Sequence, residues 1–510
     1  MDSKQFREAA VASIDHIVEY YDTIEERRVA STVEPGYLRK LLPAEAPRDG
    51  EAWADIQKDI EAKILPGITH WQSPNFAAWF PSSSSYPAML GEMYSTAFTG
   101  AAFNWICSPA VTELETIMLD WLAKAFGLPT CFLSTGPTNG GGVIHGTASE
   151  AIATVLVAAR DKYLREATAH LAGDEEARED AMALRRGRLV ALGSAVTHSA
   201  TKKGAQIAGV RYRSVPVHAA DGYKITGASL RRTVAELRAK GLEPFFLTAT
   251  LGTTDTCAVD DMDSIANMLA ELGCASSPGS GEKADGAGEI WVHVDAAYAG
   301  VSLVCPEYQH LARSLSRFHS FNTNLHKWLL VNFDCSLLYV RDRAPLVDAL
   351  SVTLPILRNR HTDSGLVTDY RDWQIPFGRR FRSLKVWFVV RTYGVGGLRA
   401  HIRKHVGLAE TFAGLLGGRP DLFEIVAGPR FALTVFKLKG GEGTTLEQQN
   451  ELTKKMYETI LAEGKIFLSS TVVGGVYAVR HNPATPLVEE HHVREHFKIF
   501  VEAAETVLSN

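Results

Sequence analysis

The stretch FNTNLHKWLL, residues 321 to 330, sets Lys327 beside His326 and a tryptophan, at the mouth of an apolar run that continues through Val331 and Phe333. A lysine entering such a segment costs several kcal/mol if it stays charged and unpaired, so a partner or a covalent bond has to remove the penalty. An ε-amine whose charged form is disfavoured is suited to forming a Schiff base with an aldehyde. Asp295 closes the run IWVHVD, which is too apolar to face water. A carboxylate there is held ionised by a cation, and a protonated pyridine ring would serve; capping a following helix is the plainer role for such an aspartate. His293 in the same run reads as a satisfied core residue. The third group is GGGVIHGTASEAIATVLVAAR, residues 140 to 160, where glycines turn into an alanine-rich helix whose first residues include Ala148 and Ser149. Free N–H groups and a hydroxyl at a helix entry suit a phosphate, although the stretch matches neither G-x-G-x-x-G nor the P-loop. Phosphate cradle, buried aspartate and late lysine together make the requirements of pyridoxal 5'-phosphate (PLP), with Lys327 as the covalent anchor.

One sheet edge has to carry all three groups. From about residue 86 helices alternate with short apolar runs, RLVALGS, PFFLTAT, IWVHVDAAYAG and CSLLYV, which predicts an α/β domain with a large, mainly parallel sheet. Asp295 then lies at the carboxyl end of a strand, where open α/β sheets bind ligands. Phe6, Ala10, Ile14, Ile17, Val18 and Tyr21 recur at helical spacing, so the chain begins with an amphipathic helix that needs another surface to cover it. After about residue 385, ALTVFKLK and GGVYAVRH read as strands, and Val493, Phe497, Phe500, Val501 and Ala504 as a closing helix. The expected divisions are an N-terminal helical segment (1–85), a large cofactor domain (86–384) and a small C-terminal α/β domain (385–510). Residues 170–188 read as a solvated charged helix and 275–289 as a flexible surface loop.

Composition narrows the function classes. The chain has 510 residues, 46% hydrophobic and 22% charged, which fits a globular enzyme and excludes a coiled coil or a disordered chain. A net charge of -5 with scattered Lys and Arg gives no nucleic-acid face. No signal-peptide core and no membrane-spanning run is present, and the six cysteines lack a C-x-x-C pair, so a cytoplasmic protein with free thiols is expected. His492 and His496 are spaced i,i+4, but without an H-E-x-x-H frame they read as a solvated helix face, and no metal site is expected.

At these residues the chain resembles the group II PLP-dependent decarboxylases, most closely the aromatic-L-amino-acid decarboxylases. The resemblance runs from VEPGYLRKLLP through THWQSPNFAAWFPSSSSYPAMLGEM, ATLGTT, VHVDAAYAG and HKWLLVNFDCS to DYRDWQIPFGRRFRSLKVWF and GLRAHIRKHV. It implies the PLP-dependent transferase-like fold type I, as a homodimer in which the N-terminal segment is swapped. It further implies that Ala148 and Ser149 hold the phosphate, His198 stacks on the pyridine ring, and Thr250 and Ala297 support the cofactor. Asp295 would pair with the ring nitrogen, while Asn324 and His326 flank the anchor. Trp71, Trp79, Phe80, Pro81, Phe103, Phe333 and Gly378 are implied in the pocket for a small-molecule aromatic amino acid, where ring pairs each add about 0.5–1.5 kcal/mol.

One departure bears on the product. Family decarboxylases return a proton to Cα from a loop tyrosine seven residues before the Asp of DSG; here TLPILRNRHTDSG puts Ile356 there. Family members with phenylalanine at that position are aromatic acetaldehyde synthases, which consume O2 and release aldehyde, ammonia and hydrogen peroxide besides CO2. Losing a general acid typically costs about 10² to 10⁴ in rate, enough for such a reaction to compete. Two products therefore stay open, the arylalkylamine and the aldehyde. A PLP-binding protein without catalysis is the reading from another class.

Overall fold

A computed structural model describes residues 1–274, 288–352, 360–363 and 367–509. Its contacts divide the chain into two units, one of Met1–Pro81, Leu408–Val426 and Thr434–Asn510, the other of Ser82–Gly407 and Ala427–Leu433. The N-terminal segment thus groups with C-terminal residues, and 385–407 group with the larger unit.

The larger unit is built on seven strands: β1 (Gly141–His145), β2 (Leu189–Ser194), β3 (Arg211–Val215), β4 (Glu243–Thr250), β5 (Trp291–Asp295), β6 (Ser320–Asn324) and β7 (Ser336–Val340). Their order is β1-β7-β6-β5-β4-β2-β3. β2 to β6 run parallel, and β7 is antiparallel to both β6 and β1. The four apolar runs expected as strands are β2, β4, β5 and β7, each buried almost throughout, as strands covered on both faces must be. β1, β3 and β6 escape a hydrophobic reading. β6 is SFNTN, polar in sequence yet wholly buried; β3 is RYRSV, an edge strand largely open to water. β1 corrects the reading of residues 141–145 as a glycine turn: they form a buried strand beside β7.

The long helix Ala148–Ala167 packs Ala151, Val155, Leu156 and Ala159 into one apolar core with Phe245, Phe246, Trp291 and Leu338 of the sheet. The charged stretch forms the helix Glu175–Arg186 with no buried residue, as expected. Residues 275–287 of the expected loop lie outside the described residues, but Glu289 at its end does not behave as a loop residue. Its carboxylate takes the Lys162 ammonium and the Nε2 proton of His319, whose Nδ1 accepts from the Val292 N–H.

In the smaller unit the N-terminal helix spans Ser3–Asp22, opened by a capping box between Asp2 and Gln5. Its apolar face is largely uncovered in a single chain: Phe6, Ile14, Ile17 and Val18 are all exposed. A second sheet has the order β10-β11-β9-β8, formed by β8 (Phe423–Arg430), β9 (Leu433–Leu438), β10 (Ser469–Val473) and β11 (Val476–His481). The closing helix Glu490–Ser509 buries Val493, Phe500 and Ala504 against Phe412, Phe436 and Met456. On that helix His492 and His496 are buried rather than solvated. Each is satisfied inside: His496 bonds His481 and Asn75, and His492 bonds Glu25. That correction follows from the helix turning its histidines inward, which i,i+4 spacing leaves undetermined. Among the described residues no helix is long and apolar enough to cross a membrane.

Lys162 and the His319 N–H hold the Glu289 carboxyl well below its ordinary value of 4.5, against a desolvation that pushes the other way. A depressed carboxylate stabilises the fold above its unfolded value, and that contribution fades as pH falls through the folded one. Glu289→Gln is therefore expected to lower Tm at pH 7, with the gap to the parent closing as melts are taken at progressively lower pH below about 4.5. A constant gap would mean that the charge is not what matters.

Candidate active site

Strand register brings the site together. Thr250 is paired with Asp295 across β4 and β5, and Asp295 with Asn322 across β5 and β6. Asn324 ends β6, and the four-residue helix Leu325–Trp328 follows at once, so Lys327 leaves the same carboxyl edge on which Thr250 and Asp295 sit. The Asp295 carboxylate accepts the Ala297 N–H at 3.0 Å, and the Ala297 carbonyl accepts the Asn324 N–H at 3.0 Å, which ties the two strand ends to each other. Asp260 fixes Thr250 from behind: its buried carboxyl takes the N–H groups of Thr250 and Ile225 at 2.7 and 2.6 Å. Burial pushes that carboxyl up to about 7. Sequence reading missed Asp260, because nothing in CAVDD separates it from a surface aspartate.

The helix of Ala148 and Ser149 starts at the end of β1. Thr147 caps it through the Glu150 N–H, while the Glu150 side chain turns back to the Gly146 N–H at 3.0 Å and to His145. A side chain on Gly146 would meet the Asp334 carboxylate at 2.8 Å, so a larger residue here would have to push that carboxylate aside. Asp334 is in turn paired with Arg382 at 3.0 Å.

Three basic side chains meet this edge. Lys327 is half-buried, with His326 and Trp328 buried on either side. His326 accepts the Cys335 N–H on Nδ1 at 2.8 Å, which leaves the proton on Nε2; burial, aided by Lys327, pushes its pKa down to about 3, so it is a neutral donor. His198 likewise accepts the Ala200 N–H on Nδ1 at 3.1 Å. Desolvation by its surroundings lowers its pKa below 6.5, opposed by Asp295 and assisted by Lys327.

The aromatic residues fall into separate groups. Phe103 lies against Phe377 at 4.7 Å, next to an exposed Gly378, and the exposed Phe333 ring lies 4.7 Å from His326. In the smaller unit Trp71 stacks on Trp79 at 5.3 Å, with Phe76 and Phe467 against them. Phe80 and Pro81 are buried, and the Arg480 guanidinium lies 5.1 Å from the Phe80 ring centre. Trp79 has φ +47°, an uncommon conformation for a large side chain, held by a bond from its N–H to Ser469 and one from Asn482 to its carbonyl. Ile356 lies outside the described residues.

The residues present fit the cofactor. The side-chain amide oxygen of Asn324 and the Thr250 hydroxyl are buried at this edge without a hydrogen-bond partner among the described residues, as polar atoms made for a polar ligand would be. The first N–H groups of the Ala148–Ala167 helix have no intrahelical acceptor and suit an anion. The pyridoxal-dependent decarboxylase conserved domain matches residues 35–439. This chain belongs to that family. Within it, the chain is 44% identical to tyrosine decarboxylase 2 of Narcissus pseudonarcissus and 44% identical to phenylacetaldehyde synthase of Arabidopsis thaliana, with 100% of this chain and 96% and 97% of those proteins covered. The structure of Oryza sativa TDC with PLP and tryptamine superposes with a TM-score of 0.91 at 37% identity, over 100% of this chain and 99% of that one. The decarboxylase is thus a PLP-dependent carboxy-lyase of the aromatic amino acid group, with the fold expected from sequence.

One further cluster, Glu25, His491 and His492, gathers possible metal ligands. His492 accepts the Glu489 N–H on Nδ1, so its Nε2 carries the proton donated to Glu25 and offers no lone pair to a cation.

Ser149→Ala and His326→Leu each remove a donor suited to a phosphate, and hydrogen bonds to charged groups are worth about 1.5–3 kcal/mol. Titrating apoenzyme with PLP should show about tenfold weaker binding or more for His326→Leu, and a smaller loss for Ser149→Ala, whose backbone N–H remains.

Proposed function

We propose that this decarboxylase converts an aromatic L-amino acid of the tryptophan, tyrosine, DOPA or phenylalanine type to the arylalkylamine and CO2. The observation that carries the reading is the shared edge on which Thr250, Asp295, Asn324 and Lys327 follow one another beside the helix entry at Ala148. In this reading Lys327 anchors the cofactor covalently, and Ala148, Ser149 and His326 hold its phosphate. When bound, PLP supplies an electron-poor pyridine ring that takes up the electron pair freed as CO2 departs. Asp295 keeps a proton on the pyridine nitrogen, and its carboxylate is fixed for that by the Ala297 N–H. Thr250 and Ala297 would support the ring, and His198 would stack on it. The proton on Nε2 and the Asp295 charge that favours the protonated ring support His198 serving as the route by which a proton reaches Cα in place of a loop tyrosine. Trp71, Trp79, Phe80, Pro81, Phe103, Phe333 and Gly378 are assigned to the aromatic side chain by the resemblance alone.

Ile356 favours a second reading, the aldehyde synthase, in which substrate, O2 and water give aldehyde, CO2, ammonia and hydrogen peroxide. An isoleucine has no hydroxyl proton to give. The phenylacetaldehyde synthase of Arabidopsis thaliana is as similar to this chain as the tyrosine decarboxylase of Narcissus pseudonarcissus, so similarity favours neither product.

A homodimer belongs to the same proposal. The exposed face of Phe6, Ile14, Ile17 and Val18 is too apolar for a solvated helix, and a second copy would cover it. Ile14→Glu with Val18→Glu should reduce the mass in light scattering from two chains to one.

Holoenzyme given each aromatic L-amino acid in air should release amine equal to CO2, without peroxide. His198→Asn should lower amine relative to CO2 and raise peroxide. Peroxide and aldehyde tracking CO2 in the parent, with Ile356→Tyr restoring amine, would establish the second reading instead. A Lys327→Ala protein that keeps the visible absorbance of lysine-bound PLP would remove the anchor from both.

A further inference from the structure

Trp328 follows Lys327 directly and is wholly buried. Its indole lies flat on Tyr298, with ring centres 4.8 Å apart and planes 12° from parallel, and Tyr298 sits three residues beyond Asp295. The indole N–H donates to Nδ1 of His405 at 2.9 Å. His405 is itself buried, on the helix Arg382–Gly417, with the His401 ring edge-on at 4.4 Å. The helix carrying Lys327 has only four residues, too few to hold its own direction. Its orientation has to come from its neighbours. On one side His326 is bound to the Cys335 N–H; on the other, Trp328 is bound to His405 and stacked on the loop after β5. Apolar packing would have held Trp328 in place without a nitrogen opposite its N–H. A buried acceptor at that point fixes the rotation of the indole about its stack, and through the shared backbone the direction in which the neighbouring side chain leaves.

We propose that Trp328 and His405 are positioning residues for Lys327: their hydrogen bond and the stack on Tyr298 set the lysine's approach to the reacting carbon. The inference rests on Lys327 being the anchor, and it adds residues whose own atoms touch neither substrate nor cofactor in the argument.

Four variants of the full-length holoenzyme test it. Trp328→Phe keeps a stacked ring but loses the N–H; His405→Leu removes the acceptor; His405→Asn places an amide oxygen near the position of Nδ1. Misplacing a reacting group by about 1 Å can cost 100-fold, so a partial misorientation in Trp328→Phe and His405→Leu should lower kcat about tenfold with KM within about twofold. In both, the pH midpoint of the visible absorbance of lysine-bound PLP should move from that of the parent, and His405→Asn should restore midpoint and kcat together. The proposal is overturned if Trp328→Phe loses thermal stability alone while midpoint and kcat stay at parent values, or if His405→Asn is as impaired as His405→Leu. Should His405→Leu fail to fold, Trp328→Phe decides by the same two readouts. Lys327→Ala separates the two levels: if it keeps the absorbance, the anchor assignment fails, whatever Trp328 does.

Discussion

The site depends on the pairing of β4, β5 and β6. A parallel ladder fixes which residues end side by side, and here it sets Thr250 against Asp295 and Asp295 against Asn322. A slip of one residue would turn every one of these side chains to the other face of the sheet. The register is itself protected, because all three strand interiors are buried and Asp260 locks the end of β4 by taking the Thr250 N–H. The polar strand β6 is therefore consistent with its place. His293 bonds Ser320 and Asn322, and Trp291 bonds Ser320, so two of its polar side chains are bound to β5, while the Asn324 side-chain oxygen is left for the site.

Buried ion pairs surround this edge, and their value lies in position more than in stability. The Arg379 guanidinium meets Glu115 with both side chains out of water, and Glu115 also takes the Ile144 N–H of β1. Lys385, equally buried, pairs with Glu92 and donates to the Asn332 carbonyl, in the segment after Lys327. Desolvation offsets most of what such pairs gain, whereas removing one partner strands a charge and costs about 3–5 kcal/mol. Such contacts hold β1 and the segment after Lys327 in one arrangement because any other would leave a buried charge alone.

What could be read from the sequence divides along physical lines. Lys327, Asp295 and the Ala148–Ser149 helix entry stood out because each puts a polar group where the surrounding pattern is apolar, and strands β2, β4, β5 and β7 stood out by their own apolarity. β6 and β1 did not, since polar side chains that bond a neighbouring strand, and glycines such as Gly141 under Trp373, leave no hydrophobic signature. His492 and His496 misled for the same reason. Their partners Glu25 and Asn75 lie far away in the chain, and burial of a polar residue is a tertiary fact. Asp260, Trp328 and His405 are invisible from sequence on the same account, since each acts through a contact that spacing does not encode.

The histidines carry the last step. Neutral imidazole offers one donor and one acceptor, and which nitrogen holds the proton decides what a site can do with it. In His198, His326 and His405, Nδ1 accepts a bond, from the N–H of Ala200, the N–H of Cys335 and the indole of Trp328. All three therefore carry the proton on Nε2. Two of those bonds come from the backbone, at the first residue of the helix Ala200–Ile207 and at the residue before β7, so the tautomer is set by the fold itself. His326, with its pKa pushed down to about 3, can only lend a hydrogen bond at neutral pH, which suits a residue that holds an anion. His198 is different in degree: desolvation lowers its pKa, but Asp295 works against the fall. It combines a defined donor with a counter-charge for its protonated form. A chain that has isoleucine where relatives place a hydroxyl would have to draw its proton through such a residue if it makes an amine.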